Sequence, residues 1–381
     1  MLPSEEAARR LGVKVSTLYA YVSRGLLASH PEPGARRSLF DLADIERLAV
    51  RQRGGRQVES RLATITTGVT QLRQDDGPFY RGRRATELAA EMTFEEVAAL
   101  LWEGDGGDEG DWEAPDLGVC PLGQASDRMR WALVMCAAGD PLRADARPAS
   151  VARAARRVIA AVTATVGSAP GVASGTIAQR LAGRLGGASQ GSSLSAAAVD
   201  AALILLADHE LSTSTVAVRI AASTRADIYD ALQAGLATMA GPLHGGASQQ
   251  AYELLVTVER DGAARALNDV LRVQHHLPGF GHVIYRERDP RFHALWELAA
   301  PLLSEERRDL FLQVMELAKV HNVPAPNCDL ALAALSWGTD MPPDAGRTIF
   351  TIARIAGWTA HYQEELLERP LRFRARAVYS V

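Results

Sequence analysis

Apolar residues recur every three or four positions along most of the chain, and this spacing predicts amphipathic helices. The segment Thr93–Gly104 shows the pattern clearly, because a Thr93/Glu96 capping box precedes an apolar stripe. No segment alternates apolar and polar residues for long enough to predict a regular strand. We therefore expect the chain from about residue 57 onward to be all-α, with many helices and short loops.

The first fifty-five residues carry a different pattern, with two short helices that each end at a glycine. Gly12 follows EEAARRL and Gly25 follows TLYAYVSR, and glycine tolerates the left-handed conformation found at helix exits. The gap of about four residues between them is typical of a helix-turn-helix. The segment PEPGARRSLF then predicts a turn and a basic wing, and DLADIERLAVRQR predicts a third helix.

Charge separates the same two regions. The 381 residues are 47% hydrophobic and 23% charged, which is typical of a soluble globular protein. Residues 1–57 hold ten Lys/Arg and six Asp/Glu, a net charge of +4, in a chain whose formal net charge is −4. The remainder therefore carries −8, so a basic head precedes an acidic body.

The cysteines and the apolar runs indicate where in the cell the protein is expected. The three cysteines, Cys120, Cys136 and Cys328, are odd in number and match no metal-binding spacing. We expect reduced thiols in a cytoplasmic protein. No signal-peptide pattern opens the chain, and apolar runs such as residues 196–207 are too short to span a bilayer, so we expect no membrane association.

Four segments interrupt the helical pattern with residues suited to proton transfer. ADHELSTSTVAVR carries His209, MAGPLHGGASQQ carries His244, LPGFGHVIYRERDPRF carries His282 and Arg291, and PAPNCDLALAAL carries Asp329. Each residue has a simpler interpretation when taken alone. His209 is then a satisfied helix-end histidine, His244 an incidental part of a turn, Asp329 a helix N-cap, and Arg291 half of a surface ion pair.

Taken together, three histidines and one aspartate at loop–helix junctions predict a site for acid–base chemistry. Glycines at 279 and 281 predict a backbone bend that presents His282 to a ligand. No two of these histidines have helical i,i+4 spacing, and no usual His/carboxylate motif appears, which argues against a metal site.

Both regions resemble known families. DHELSTSTVAVR, GPLHGGA, GFGHVIYRERDPR, PNCDLALAAL and ARIAGWTAHYQEE resemble citrate synthase in type, order and spacing, and the resemblance runs from about residue 58 to the C-terminus. AARRLGV and STLYAYVSRGLL, followed by a basic strand and DIERL, resemble the MerR/excisionase-type helix-turn-helix. The resemblance implies an all-α fold with large and small helical domains, preceded by a small winged helix-turn-helix domain.

The resemblance also implies a domain division and an assembly. The helix-turn-helix domain is expected at residues 1–56, the large domain at 57–244 and 329–381, and the small domain at 245–328. The family is a homodimer with its cleft between the two larger domains. Arg374 is expected to reach from one subunit into the site of its partner.

The chemistry that the resemblance implies is the condensation of acetyl-CoA with oxaloacetate to citrate and free CoA, a reaction of the tricarboxylic acid cycle. Asp329 would remove a methyl proton, His244 would donate a hydrogen bond to the thioester oxygen, and His282 would polarise the ketone and protonate the new alkoxide. No cofactor is implied, because the acyl-CoA is a substrate. The remaining implied contacts are with oxaloacetate (His209, Arg291, Arg354 and Arg374) and with CoA phosphate (Arg286).

Three alternatives stay open. The first is 2-methylcitrate synthase, which uses propionyl-CoA, because a pocket discriminates weakly against one methylene group. The second is a DNA-binding, metabolite-sensing regulator built on this fold. The third concerns the head alone, which has either kept or lost its capacity to bind DNA. The candidate DNA contacts are Lys14, Thr17, Tyr21, Arg24, Arg36 and Arg37.

Overall fold

The computed structural model describes residues 2–11, 13–23, 26–31, 38–41, 44–45, 65–102, 112–167, 174–186, 193–241, 244–274 and 276–373. The chain divides into two compact units, Met1–Thr66 and Thr67–Val381. The sequence analysis places the end of the head at residue 56, inside a segment that lies outside the described residues, so that boundary stays a prediction.

The first unit has the predicted helix-turn-helix with a small sheet. Helix α1 spans Ser4–Leu11 and α2 spans Val15–Ser23. Strand β3 (Ser38–Phe40) pairs antiparallel with both β1 (Leu2–Pro3) and β2 (His30–Pro31). The core of this unit consists of Ala7, Ala8, Leu18, Leu27, Phe40 and Ile45.

The second unit is mainly helical, as the apolar spacing predicts. Its helices are α3 Ala85–Glu91, α4 Phe94–Leu101, α5 Ala125–Ala138, α6 Pro148–Thr165, α7 Ile177–Leu185, α8 Ser193–Leu206, α9 Thr213–Ser223, α10 Ile228–Met239, α11 Ala247–Asp261, α12 Ala263–Gln274, α13 Pro290–Ala299, α14 Glu305–Val320, α15 Cys328–Gly338 and α16 Ala345–Leu366. The predicted capping box at the start of α4 is confirmed, because the Glu96 N–H donates to Thr93 Oγ1 and the Thr93 N–H donates to the Glu96 carboxylate. Among the helices described, none combines the length and the apolar character needed to cross a bilayer.

A small antiparallel sheet in this unit was not predicted. Its strands are β4 (Thr70–Arg73), β5 (Gly77–Tyr80) and β6 (Arg83–Arg84), in the order β4-β5-β6. Strands of two to four residues are too short for an alternating pattern to stand out. The sheet matters for the site, because Tyr80 at the end of β5 contacts the loop that follows α8.

The helical unit has two separate hydrophobic clusters. The main cluster centres on α8, α15 and α16, which are buried on nearly every face. The second cluster consists of Leu254, Val258, Ala263, Ala266, Leu267, Leu277, Val314 and Ala318. All of these lie within residues 245–328, where the family resemblance places the small domain. Other residues of that range, such as Leu255 and Phe311, belong to the main cluster, so the division into large and small domains stays a prediction.

Candidate active site

His209 lies in a loop that is held against α16. The Tyr80 hydroxyl donates to the Asp208 carbonyl at 3.1 Å, and the Gly357 N–H donates to the Ala207 carbonyl at 3.1 Å. A Cβ at Gly357 would lie 2.3 Å from Asp208 Oδ1, so only glycine permits this close approach. The backbone just before His209 is therefore fixed by α16 and the sheet.

His282 lies on a bend with two glycines in the left-handed region. Gly279 has φ +82° and Gly281 has φ +81°. A Cβ at Gly279 would lie 2.8 Å from Leu330 Cβ. The predicted bend is confirmed, and Gly279 allows the loop to approach α15 closely.

Backbone hydrogen bonds determine which nitrogen of His282 carries the proton. His282 Nδ1 accepts from the N–H groups of Ile284, at 3.1 Å, and Tyr285, at 3.2 Å. Because Nδ1 acts as an acceptor, the neutral imidazole carries its proton on Nε2. His282 can therefore donate from Nε2 to a ligand.

Asn327 connects the His282 loop to the start of α15. Its Oδ1 accepts from the Asp329 N–H at 3.0 Å, which makes Asn327 the N-cap of this helix. Its Nδ2 donates to the Gly281 carbonyl at 2.8 Å, and its own N–H donates to the Gly279 carbonyl at 2.9 Å. The interpretation of Asp329 as an N-cap is therefore wrong, and its carboxylate is available for another role.

Asp329 has a pKa that suits a general base. Burial raises the pKa of its carboxyl to about 6, although the positive charges of Arg291 and Arg354 act in the opposite direction. The start of a helix also favours the ionised form, so burial is the dominant effect. Asp329 is mainly ionised at pH 7 and is more basic than an exposed aspartate.

Two buried arginines supply the positive charge of the site. Arg291 forms a bidentate pair with Asp289, with 3.0 Å from Nε to Oδ1 and 2.8 Å from Nη2 to Oδ2. Arg354 donates to the Leu206 carbonyl at 3.1 Å and the Ser212 hydroxyl at 3.0 Å. None of the salt bridges within the described ranges includes Arg354. Burial lowers the pKa of Arg354, and the charge of the Asp208 carboxylate acts in the opposite direction without forming a salt bridge. A buried guanidinium that lacks a direct salt bridge favours an anionic ligand.

The three histidines share the field of these arginines. The rings of His209 and His282 meet edge to face with centroids 5.3 Å apart. Burial, reinforced by Arg291, lowers the pKa of His282 to about 4 and that of His209 well below its usual value. Burial, reinforced by Arg354, lowers the pKa of His244 to about 4. All three imidazoles are therefore neutral at pH 7.

His244 is held by contacts on two sides. Its Nε2 lies 2.8 Å from Ser214 Oγ, which also accepts from Trp358 Nε1 at 3.3 Å. The His244 ring meets the Phe350 ring edge to face, with centroids 6.5 Å apart. The guanidinium carbon of Arg354 lies 4.7 Å from the centroid of the Phe350 ring. His244 is therefore not an incidental turn residue, and it shares its surroundings with one of the arginines.

Some sequence-predicted residues are not part of this group. Arg286 is exposed in the loop after His282, and Arg374 lies outside the described residues, so both roles stay predictions. Arg291 is buried with Asp289, and its interpretation as a surface ion pair is wrong. In the part of the chain described, no three His, Cys, Asp or Glu side chains are arranged to hold a metal ion.

Sequence reasoning missed four residues: Ser214, Tyr285, Asp289 and Asn327. The hydroxyl-rich tail of STSTV was the signal for Ser214, and the Asp-Pro-Arg turn was the signal for Asp289. Tyr285 had no sequence signal.

The candidate DNA contacts of the first unit differ in exposure. Lys14 is exposed in the turn before α2, Thr17 is half-buried, and Tyr21 packs against the core of the unit. Tyr19 on the same helix is 41% exposed and was not selected from the sequence. The candidates that lie outside the described residues are Arg24, Arg36 and Arg37.

The sequence matches two families. Residues 122–375 match the family described as "Citrate synthase, C-terminal domain", and residues 2–53 match "MerR HTH family regulatory protein". The citrate synthase of Synechocystis sp. is 33% identical over 180 residues, 45% of each chain. The 2-methylcitrate synthase of Shewanella oneidensis is 32% identical over 177 residues, 45% of this chain and 47% of the relative. The chain spans about half the length of the curated relatives it matches.

Solved structures share the fold. A citrate synthase of Thermoplasma acidophilum, described as a ternary complex with carboxymethyl coenzyme A and oxaloacetate, has a TM-score of 0.70 at 22% identity and covers 85% of this chain and 96% of that one. A citrate synthase of Thermotoga maritima has a TM-score of 0.66 at 22% identity and covers 84% of this chain and 94% of that one. The predicted all-α fold of this type is confirmed.

Proposed function

Since the chain belongs to the citrate synthase family, we propose that it is an acyltransferase that condenses acetyl-CoA with oxaloacetate to give citrate and free CoA. The observation that carries the proposal is the surroundings of Asp329. A carboxyl with a pKa of about 6 lies in the field of two buried arginines that also act on three neutral imidazoles. The reaction needs no resident cofactor, because these side chains supply the proton transfers.

The first step is removal of a methyl proton of acetyl-CoA by Asp329. His244 donates a hydrogen bond to the thioester oxygen as negative charge develops on it. This role requires the Ser214 hydroxyl to donate to His244 Nε2, 2.8 Å away, so that the proton of the neutral imidazole lies on Nδ1. The neutral imidazole then offers its Nδ1–H group to the substrate.

The second step is attack of the enol on the ketone of oxaloacetate. His282 donates from Nε2 to the ketone oxygen, polarises the carbonyl group and protonates the alkoxide that forms. The two N–H groups that bond to Nδ1 support this assignment, because they hold the proton on Nε2.

Oxaloacetate is bound through its two carboxylates. Arg291, Arg354 and His209 are the contacts from one subunit, and Arg374 is the contact from the other. The buried guanidinium of Arg354 supports the proposal, because it forms no salt bridge among the described residues. Arg286, exposed beside the site, binds a CoA phosphate.

We further propose that the protein is a cytoplasmic homodimer. Val134 on α5 is 53% exposed and Ile220 on α9 is 45% exposed, and both face outward from helices that otherwise contribute to the main core. We place the contact surface between subunits on the faces of α5 and α9 that carry these side chains. Free thiols at Cys120, Cys136 and Cys328 agree with a reducing compartment.

The experiment that tests this function is a thiol-release assay with purified full-length protein. We expect free CoA to appear from acetyl-CoA only when oxaloacetate is present. Binding of oxaloacetate without any release of CoA, from acetyl-CoA or propionyl-CoA, would contradict catalysis and favour the metabolite-sensing regulator.

A second candidate is 2-methylcitrate synthase, which two relatives at 32% identity favour. The ratio of kcat/KM for acetyl-CoA and propionyl-CoA decides between the two activities. One methylene group changes this ratio by roughly 10–200-fold in a hydrophobic pocket. A ratio in favour of propionyl-CoA makes 2-methylcitrate the product.

The match of residues 2–53 to a regulatory family favours DNA binding by the head. We propose that Lys14, Thr17 and Tyr21 of the described residues contact DNA, together with Arg24, Arg36 and Arg37. Binding to generic duplex DNA should weaken as salt rises, because each phosphate contact releases counterions. A salt slope near zero would count against this role.

A further inference from the structure

Tyr285 is an aromatic side chain at the centre of the site, and nothing in the sequence analysis selected it. Its ring stacks on His282 with centroids 4.7 Å apart and an interplanar angle of 19°. It meets the ring of His209 edge to face at 5.7 Å. The guanidinium carbon of Arg291 lies 4.8 Å from the centroid of the same ring. One side chain therefore contacts three of the residues that we assign to oxaloacetate.

The hydroxyl of Tyr285 is buried without a hydrogen-bond partner among the described residues. The whole side chain is only 1% exposed. His209 Nε2, in the same ring cluster, is also buried and unpartnered within that part of the chain. Buried polar groups in native proteins nearly always have partners, so two such atoms in one cluster indicate that a bound molecule supplies them.

The surrounding groups identify the chemistry of that molecule. Burial raises the pKa of Tyr285 above its usual value, so the hydroxyl keeps its proton and acts as a donor. Arg291 and Arg354 are donors that carry positive charge, and His282 donates from Nε2. A molecule that accepts hydrogen bonds from all of these groups is rich in oxygen and negatively charged, as a dicarboxylic keto acid is.

We propose that Tyr285 binds oxaloacetate through its hydroxyl and holds the plane of the His282 imidazole through its ring. This proposal rests on the proposed function. The two roles are separable, because a phenylalanine at this position keeps the ring and removes only the oxygen. A leucine removes both.

The Tyr285→Phe variant tests the hydroxyl. We expect the dissociation constant for oxaloacetate, measured by calorimetry, to rise about tenfold or more, because the hydroxyl donates to a charged group. We also expect the melting temperature of the unliganded protein to stay the same or rise, because the substitution removes a buried polar atom that has no partner. The increase in melting temperature on adding oxaloacetate should shrink.

The matched control is Tyr362→Phe. Tyr362 is also buried, but its hydroxyl donates to the Ala226 carbonyl at 3.0 Å. This variant should have a lower melting temperature and an unchanged affinity for oxaloacetate. If Tyr285→Phe behaves like Tyr362→Phe, the Tyr285 hydroxyl has a partner other than the ligand and the proposal is overturned.

The Tyr285→Leu variant tests the ring. We expect kcat at saturating oxaloacetate to fall at least tenfold below that of Tyr285→Phe, because His282 loses the ring that fixes its plane. Equal kcat values for the two variants would overturn the positioning role. A wild-type protein that does not bind oxaloacetate overturns the proposed function itself. If the wild-type protein and Tyr285→Phe bind oxaloacetate with equal affinity, only the role of the hydroxyl is overturned.

Discussion

At the scale of the residue, burial sets the charge state of each group in the site. It lowers the pKa values of His244 and His282 to about 4 and raises that of Asp329 to about 6. Exposed groups of the same types would leave the histidines partly charged and the carboxylate weakly basic at neutral pH. The same burial thus provides neutral hydrogen-bond donors and a base of useful strength.

The Asp329→Asn variant should separate catalysis from folding. We expect kcat to fall by about 10²–10⁴-fold, because the general base is removed. The melting temperature should stay the same or rise, because burial disfavours the charge of this carboxylate. Oxaloacetate affinity, measured by calorimetry, should survive. The control is Asp309→Asn, because Asp309 is exposed on α14, and it should leave kcat, melting temperature and affinity unchanged. A near-wild-type kcat in Asp329→Asn would refute the role of Asp329 as the base.

The pH dependence of kcat/KM for acetyl-CoA should reflect the same carboxyl. Below a pH of about 6 the rate should fall about tenfold per pH unit as Asp329 takes up a proton. Protonation of His244 and His282 should add a further loss near pH 4. A value of kcat/KM that stays constant from pH 7 to pH 5 would contradict this assignment.

The same histidines make stability depend on pH. Their pKa values are lower in the folded state, about 4, than the usual 6.5. Their contribution to the free energy of unfolding is therefore complete above pH 6.5 and is lost as pH falls towards 4, since the unfolded chain binds protons first.

Sequence patterns selected the proposed proton-transfer residues but not all of the residues that contact them. His244, His282 and Asp329 stand at breaks in helical periodicity and could be selected for that reason. Tyr285 could not, because its role arises from a contact with a segment distant in sequence and from burial that a local pattern does not encode. The hydroxyl-rich STSTV segment points to Ser214 but does not show its contact with His244.

At the scale of the element, the start of α15 and the glycine bend form one connected piece. Asn327 caps the helix that carries Asp329 and also donates to the Gly281 carbonyl. The Gly281 N–H in turn donates to the Ala325 carbonyl at 2.8 Å. The base and His282 therefore keep a fixed relation to each other, although about 45 residues separate them along the chain.

Substitutions at Asn327 should distinguish capping from the link to the bend. Asn327→Ser keeps a good N-cap and loses the amide donor, whereas Asn327→Ala loses both. We expect kcat to fall in both variants, and Asn327→Ala to be less stable than Asn327→Ser by about 1 kcal/mol in denaturant unfolding. Wild-type kcat in Asn327→Ser would show that the bond to Gly281 does not position the base.

Gly279→Ala should test the close approach of the bend to α15. The new Cβ would clash with Leu330, and the alanine would also have to adopt a positive φ. Gly262→Ala is the matched control, because Gly262 also has φ +82° but nothing lies within 4 Å of its Cβ position. We expect the control to lose about 1–3 kcal/mol of stability with kcat unchanged, because Gly262 combines φ +82° with ψ 151°, a region that other residues rarely adopt. Gly279→Ala should lose more stability and also lower kcat. Equal effects of the two changes would contradict the close-approach argument.

Helices and strands were predictable from the sequence only where their apolar spacing repeats over many residues. The helices and the Thr93 capping box follow from local spacing. The short strands β4 to β6 do not, and the contact of Gly279 with Leu330 depends on tertiary packing that a single sequence does not show.

At the scale of the whole molecule, the proposed site is complete only in a dimer, because each site takes Arg374 of the partner subunit. The exposed apolar residues Val134 and Ile220 are the described candidates for the contact surface. The sequence predicted the dimer only through the family resemblance, because apolar spacing alone does not separate residues buried between subunits from residues buried within one. The small domain was likewise predicted only through the family resemblance. The second hydrophobic cluster lies within the residues 245–328 assigned to it.

A charge at the proposed contact surface should abolish activity through dissociation. We expect Ile220→Glu to be monomeric by sedimentation and to lose turnover, because Arg374 of the partner subunit no longer reaches the site. Val320→Glu is the control, since Val320 is 73% exposed on α14, and it should leave both assembly and turnover unchanged. A fully active monomer would contradict the shared site.

The proposed function depends above all on removal of a methyl proton of acetyl-CoA by the partly buried carboxylate of Asp329. The most direct measurement is proton NMR of the acetyl methyl group in D₂O, with the protein and an oxaloacetate analogue that cannot condense. The account predicts that the methyl signal decays with the wild-type protein and persists with Asp329→Asn. Exchange at the wild-type rate with Asp329→Asn, or no exchange with either protein, would contradict it.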